Sequence, residues 1–198
     1  MSTMVTLNAP LNGRVDQIGV IVPNLEAAMD AYLATLGVPF AVFEVDQSTS
    51  AFSGSSPRFQ IRIAIALAGA LTIELIQPVA GVTLYSKHLE THGPGIHHLG
   101  FHVDSLAKAR KALTGRGYRP ILEGKIRGLG KFAYFEAPGM HCILEPLQLS
   151  LSFPLFLAKN AKPYPESSLL NPAASQSLRT PTQPSGRRTT QPPGPAPR

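Results

Sequence analysis

The chain has no tryptophan and a single cysteine, Cys142, among 198 residues. One cysteine cannot close an internal disulfide, and a lone cysteine in an apolar run is ordinarily buried packing, so the fold holds without covalent staples and a reducing compartment is expected. Charged residues are scarce at 15% while 43% of the chain is apolar, which excludes a wholly disordered polyelectrolyte. No run approaches the ~20 apolar residues that a helix needs to cross a bilayer. Met1 to Leu11 lacks the basic start and continuous apolar stretch of a secretory leader. The expectation is a cytoplasmic protein with no membrane partner.

Acids are also few, 12 against 18 Lys and Arg, for a net charge of +6. Clustered on a fold, that excess would suggest nucleic acid. However, residues 160–198 hold Lys162, Arg179, Arg187, Arg188 and Arg198 against Glu166, so +4 of the +6 lies in a stretch that also carries nine of the 19 prolines. Such a stretch has too little periodic apolar surface to offset chain entropy. We therefore expect an N-terminal extension over 1–13, a nearly neutral domain over 14–148, a largely disordered Pro-rich basic tail over 149–198, and no nucleic-acid partner. Across that boundary, the apolar run Leu147 to Leu157 reads as an added strand or a dimer-contact arm.

An internal repeat organises the domain. Val15 to Leu25 lies over Ile96 to Leu106 at an offset of 81 residues, and Pro39 and Pro120 keep that offset. Each half begins with an alternating segment (15–22; 97–103) and a turn at Asn24 or Asp104. A helix follows, marked by Leu25, Ala28, Met29, Tyr32, Leu33 and Leu36 in one half and by Leu106, Ala109, Arg110 and Leu113 in the other. Three extended segments then follow, over about 38–46, 58–67 and 71–77 in the first half and 118–125, 131–136 and 141–147 in the second. The unit is βαβββ, used twice, in an α+β fold with modules of about 14–80 and 95–148 joined by a linker over 81–94. One helix covers only one face of each four-stranded sheet, which leaves the other face to line a cavity.

Strand alternation selects the side chains on that free face. Ile18, Val20 and Val22 pack on the first helix, leaving Gln17, Gly19 and Ile21 opposite. Leu99, Phe101 and Val103 pack on the second, leaving His98, Gly100 and His102. Gln17 and His98 are thus equivalent by repeat and by face. The last strand of each half carries one acid, Glu74 in Ile73-Glu74-Leu75 and Glu145 in Leu144-Glu145-Pro146. A carboxylate in so apolar a strand is costly unless it is paired or bound to a metal.

The repeated unit, the segment Gly95 to Val103 and the two acid-bearing strands resemble the vicinal oxygen chelate superfamily over about residues 14–148. That group includes glyoxalase I, methylmalonyl-CoA epimerase, extradiol dioxygenases and fosfomycin or bleomycin resistance proteins. The resemblance implies a glyoxalase/bleomycin resistance/dioxygenase fold forming a metal-containing cup, with Gln17, Glu74, His98 and Glu145 as ligands. Three oxygen donors and one imidazole suit one divalent ion, with Co, Ni, Zn, Mn, Mg and Fe all left open. Such an ion polarises a carbonyl and stabilises the anion formed when the neighbouring carbon loses a proton.

The activity implied is that of an isomerase or epimerase resembling methylmalonyl-CoA epimerase, acting on a small carbonyl substrate such as an acyl-CoA, in a homodimer. A glyoxalase I-type lyase and a non-catalytic, drug-sequestering cup are the alternatives. An extradiol dioxygenase fits less well, because its iron site needs two His and Gln17 replaces one of them. Glu145 could double as base, and His102 and His141 share faces with ligand positions and are candidates for proton transfer. Alternation turns His97 the opposite way, into a structural role, while His88 and His92 read as a solvated surface between the modules. Arg62, Lys125, Arg127 and Lys131 read as surface charge.

Overall fold

The computed structural model describes residue 11 and residues 14–52, 58–136, 139–140 and 142–166. The first module comprises β1 (Gln17–Ile21), α1 (Leu25–Leu36), β2 (Phe40–Asp46), β3 (Ser50–Phe52), β4 (Gln60–Ala68) and β5 (Leu71–Ala80). After α2 (Leu84–His92), the second module repeats the pattern with β6 (Gly95–His102), α3 (Leu106–Thr114), β7 (Arg119–Ile126), β8 (Gly130–Glu136) and β9 (Ile143–Leu149). The fold is α+β, and with the short β3 set aside each module is a βαβββ unit, as the repeat requires.

Both module helices start and stop for local reasons. The Asn24 side chain accepts from the Ala27 backbone N–H at 2.9 Å, and Gly37 closes α1 in the left-handed region at φ 67°. In the second module Ser105, one residue after the expected Asp104, supplies the cap to Lys108. Leu25 and Met29 of α1 pack on Val20 of β1 and Leu75 of β5, while Ala109 and Leu113 of α3 pack on Phe101, Phe135 and Leu144. Each such large apolar side chain contributes about 1.5–3 kcal/mol by burial.

With a last short strand, β10 (Lys162–Tyr164), at one edge, the strands form one sheet in the order β10-β2-β4-β5-β1-β6-β9-β8-β7-β3. The modules join where β1 pairs antiparallel with β6, and each of these first strands runs parallel to its own module's last strand, β5 or β9. β3 follows β2 in sequence yet pairs with β7 at the far end of the sheet. The sheet must therefore curl until its ends approach, and Phe43, Ile61 and Ile63 of one module share an interior cluster with Ile126, Phe132 and Tyr134 of the other. Both modules that build the cup belong to one chain.

The expected tail boundary at 149 is corrected over residues 150–166. There α4 (Phe153–Asn160) and β10 (Lys162–Tyr164) follow, with β10 adding to the edge strand β2. The apolar run near Leu157 has a use: Phe156 meets Phe43 edge-on at 5.3 Å between ring centroids. The N-terminal extension apart from Leu11, and residues 167–198 of the expected tail, lie outside the described residues. No helix among the described residues is long and apolar enough to cross a membrane.

Candidate metal centre in the cup

The β1–β6 junction brings four side chains to one point. In the ladder, Gly19 stands beside Glu74 on one side and His98 on the other, while Gly100 stands beside Gln17 and Glu145. Glycine at both places is a steric requirement: a Cβ on Gly19 would lie 1.9 Å from His98 Cε1, and one on Gly100 would lie 2.7 Å from Gln17 Cβ. The free space over each glycine is filled by a polar side chain from the other module.

The donor atoms converge. His98 Nε2 lies 3.3 Å from Glu74 Oε2 and 3.1 Å from Glu145 Oε2. Gln17 Nε2 donates to Glu74 Oε2 at 2.9 Å and to Glu145 Oε2 at 3.2 Å. Adjacent ligands on an octahedral ion with bonds of about 2.1 Å are separated by about 3 Å, so these spacings fit a divalent cation. Glu74, His98 and Glu145 together form a cluster able to hold one. With a cation present the Gln17 amide would turn its oxygen inward, a rotation that exchanges two nearly isosteric ends.

Charge in this corner is tightly balanced. His98 is fully buried, which alone would lower its pKa, but the charge and hydrogen bonds of Glu145 and Glu74 outweigh burial and raise it to about 10. Burial raises the Glu145 carboxyl, against the pull of His98. Tyr134 donates its hydroxyl to Glu145, and the Tyr85 hydroxyl lies 2.9 Å from that of Tyr134. Burial and the nearby carboxylates hold both phenols well above their ordinary pKa, so both remain neutral donors.

His97 corrects the alternation argument. Gly19 pairs with His98 but Val20 pairs with Ile96, so His97 is an extra residue in β6, a bulge that breaks strict alternation. Its ring is 4% exposed, and its Nδ1 lies 3.0 Å from His98 Nδ1. Burial, then the charge on His98, pushes His97 down to about 2. A neutral His97 can therefore accept the Nδ1 proton of His98, which turns His98 Nε2 toward the carboxylates.

The remaining expected residues divide. His102 lines the cavity and its backbone N–H donates to Asp16. His141 lies outside the described residues. His88 and His92 stack on α2 at 4.9 Å between ring centroids, with His88 edge-on to His97. Arg62 pairs with Glu26 at 2.6 Å, and none of Arg62, Lys125, Arg127 and Lys131 lines the cup. Sequence reasoning missed Tyr85, Tyr134 and Asp16. The hydroxyl of Tyr134, in the apolar strand Phe132 to Phe135, and the charge of Asp16 beside Gln17 were the available signals.

A sheet curled into a cup from two βαβββ modules, with donors contributed by the first and last strand of each, defines the class of protein. Residues 16–135 match the Glyoxalase/Bleomycin resistance protein/Dioxygenase superfamily, and the chain belongs to that superfamily. It is 28% identical over 129 residues to the ethylmalonyl-CoA/methylmalonyl-CoA epimerase of Cereibacter sphaeroides, covering 64% of this chain and 89% of that one. It is also 28% identical over 101 residues to the uncharacterised protein YqjC of Bacillus subtilis, a match over 51% of this chain that spans 65% of that relative's length, just under two thirds. Among solved structures, methylmalonyl-CoA epimerase from Mycobacterium tuberculosis superposes with a TM-score of 0.60 at 20% identity, over 75% of this chain and 95% of that one. A variant of the Streptomyces coelicolor methylmalonyl-CoA epimerase, in complex with 2-nitronate-propionyl-CoA, gives 0.52 at 21% identity, over 69% and 97%. At these identities the structural likeness establishes the fold.

Proposed function

We propose that this protein is a divalent-metal-dependent epimerase or isomerase that removes and returns a proton on the carbon next to a carbonyl, with an acyl-CoA thioester as substrate. The observation that carries the reading is the convergence of Gln17, Glu74, His98 and Glu145 at the module junction, where Gln17, Glu74 and Glu145 line a cavity of about 710 Å³ and His98 is buried behind them. Those four residues would hold the ion. When bound it supplies Lewis-acid polarisation of the substrate carbonyl.

The chain's own residues supply the rest. Glu145, with its carboxyl raised by burial, is suited to take the proton on the carboxylate oxygen that does not face the ion, and Tyr134 orients it by hydrogen bonding. Inversion requires a proton donor on the opposite face of the planar carbon, a role assigned here to His102 or His141. Apolar walls around Glu145 keep bulk water from the reacting carbon. The test is metal analysis of the purified protein with solvent-deuterium exchange into acyl-CoA and 2-oxo compounds. Incorporation next to the carbonyl that requires the ion supports the reading, and none with any divalent metal overturns it. The same donor set suits a glyoxalase I-type lyase, and turnover of the lactoylglutathione precursor with Ni or Zn would favour that reading instead.

A further inference from the structure

The cavity has two chemically different ends. One is the polar corner of Gln17, Glu74, Glu145 and Tyr134. The other is built from Ile63, Ile65 and Leu67 of β4 facing Phe153 and Leu157 of α4. Among the described residues no Lys or Arg side chain lines the cavity at either end. α4 is held in place from both modules: Ser152 Oγ donates to the Gly128 carbonyl at 3.3 Å, Phe156 packs on Phe43, and β10 continues the sheet from β2. It therefore forms a fixed wall across the cup, and its inward side chains are hydrocarbon.

An anionic group placed against that end would lose hydration and find no cation, which is strongly unfavourable. Each methylene placed there gains about 0.8 kcal/mol by leaving water. A volume of about 710 Å³ also lies within the range that encloses a drug-sized ligand, more than a short branched acyl group fills.

We infer that the acyl group accepted here carries an uncharged apolar chain seated between β4 and α4, with Phe153 and Leu157 setting the preferred length. The inference rests on reading the polar corner as the site of proton transfer next to a carbonyl, and it adds the substrate class: medium-chain acyl thioesters branched at carbon 2, in preference to chains of the same length whose far end is a carboxylate.

Calorimetric titration of the full-length protein with butyryl-, hexanoyl- and octanoyl-CoA, and with the dicarboxylic adipyl-CoA, tests this apart from turnover. Affinity should rise roughly three- to fourfold per added methylene before levelling off, and hexanoyl-CoA should bind more tightly than adipyl-CoA, whose far carboxylate would lie between β4 and α4. Leu157→Asp should abolish the gain with length. Leu157 is only half-buried, and Leu157→Met, which conserves volume, should behave as wild type. Affinity that is flat with chain length, or tighter binding of adipyl-CoA than of hexanoyl-CoA, overturns the inference. Deuterium exchange into 2-methylhexanoyl-CoA separates the two claims. Length-dependent binding without exchange sinks the proposed reaction and keeps the apolar seat; exchange confined to methylmalonyl-CoA with flat binding does the reverse.

Discussion

Gly19 faces His98 across the β1–β6 ladder so closely that a methyl group on Gly19 would lie 1.9 Å from the imidazole Cε1. The glycine is the floor on which the His98 ring rests, and the fully buried ring has nowhere to retreat. Gly19→Ala should therefore displace His98 from Glu74 and Glu145. The expected cost is about 1–3 kcal/mol of stability in urea, with metal affinity in the purified protein reduced at least tenfold. Unchanged metal binding in Gly19→Ala would show that His98 does not need this seat.

Removing donors is expected to act on metal content before it acts on the fold. Glu74→Ala and His98→Ala should each lower affinity for a divalent ion by more than the roughly 10–100-fold typical of losing a partner that only orients a ligand. Tyr134→Phe, which removes the hydroxyl donated to Glu145, should stay within that range. Competition titrations with a chromophoric chelator measure both. If Glu74→Ala and His98→Ala bind as tightly as wild type, the assignment of the centre is wrong.

Stability of the chelated protein should depend on pH with opposite signs from two adjacent histidines. His97 is pushed down to about 2 from an ordinary 6.5, so below pH 6.5 the unfolded chain takes up a proton that the folded chain refuses. Stability should then fall with pH, at up to about 1.4 kcal/mol per unit. His98 is held up at about 10, so its contribution is complete below pH 6.5 and is lost as pH rises toward 10. Glu145, raised by burial, adds to the loss on the rising side. The contributions of the two histidines together are greatest near pH 6.5. Urea unfolding with excess chelator between pH 4.5 and 9 checks this, and His97→Gln should flatten the acid limb only.

Asp16 ties the modules at the rim of the centre. It is 4% exposed, its Oδ2 accepts from the His102 backbone N–H at 2.9 Å, and its backbone bonds Gly100 and Thr72 on the two flanking strands. Asp16→Ala leaves the His102 N–H without that acceptor and should cost about 1–3 kcal/mol. Asp16→Asn, which keeps an acceptor oxygen, should cost less. Equal stability of the two variants in thermal unfolding would mean that the hydrogen bond contributes nothing.

The legible part of this molecule was the part governed by short-range rules. A repeat at an offset of 81 aligns Gln17 with His98 and Gly19 with Gly100, and period-two alternation is enough to put all four on one face. Alternation failed at His97, because a bulge is an accident of how β6 meets β1 and leaves no mark on β6 alone. Tyr85 was hidden for a related reason. It sits on α2, outside both modules, and reaches Tyr134 only because the sheet curls under that helix.

What the sequence by itself determined is therefore which polar side chains, Gln17, Glu74, His98 and Glu145, stand on the free face, since that follows from local periodicity and from the cost of placing an acid in an apolar strand. Only the tertiary structure decided that residues 17, 74, 98 and 145 meet at one point within a single chain, because that depends on β1 pairing with β6. Only it decided, too, that residues beyond 149 form a wall of the cavity. An amphipathic segment such as α4 carries no record of the surface it will cover until the sheet has bent toward it.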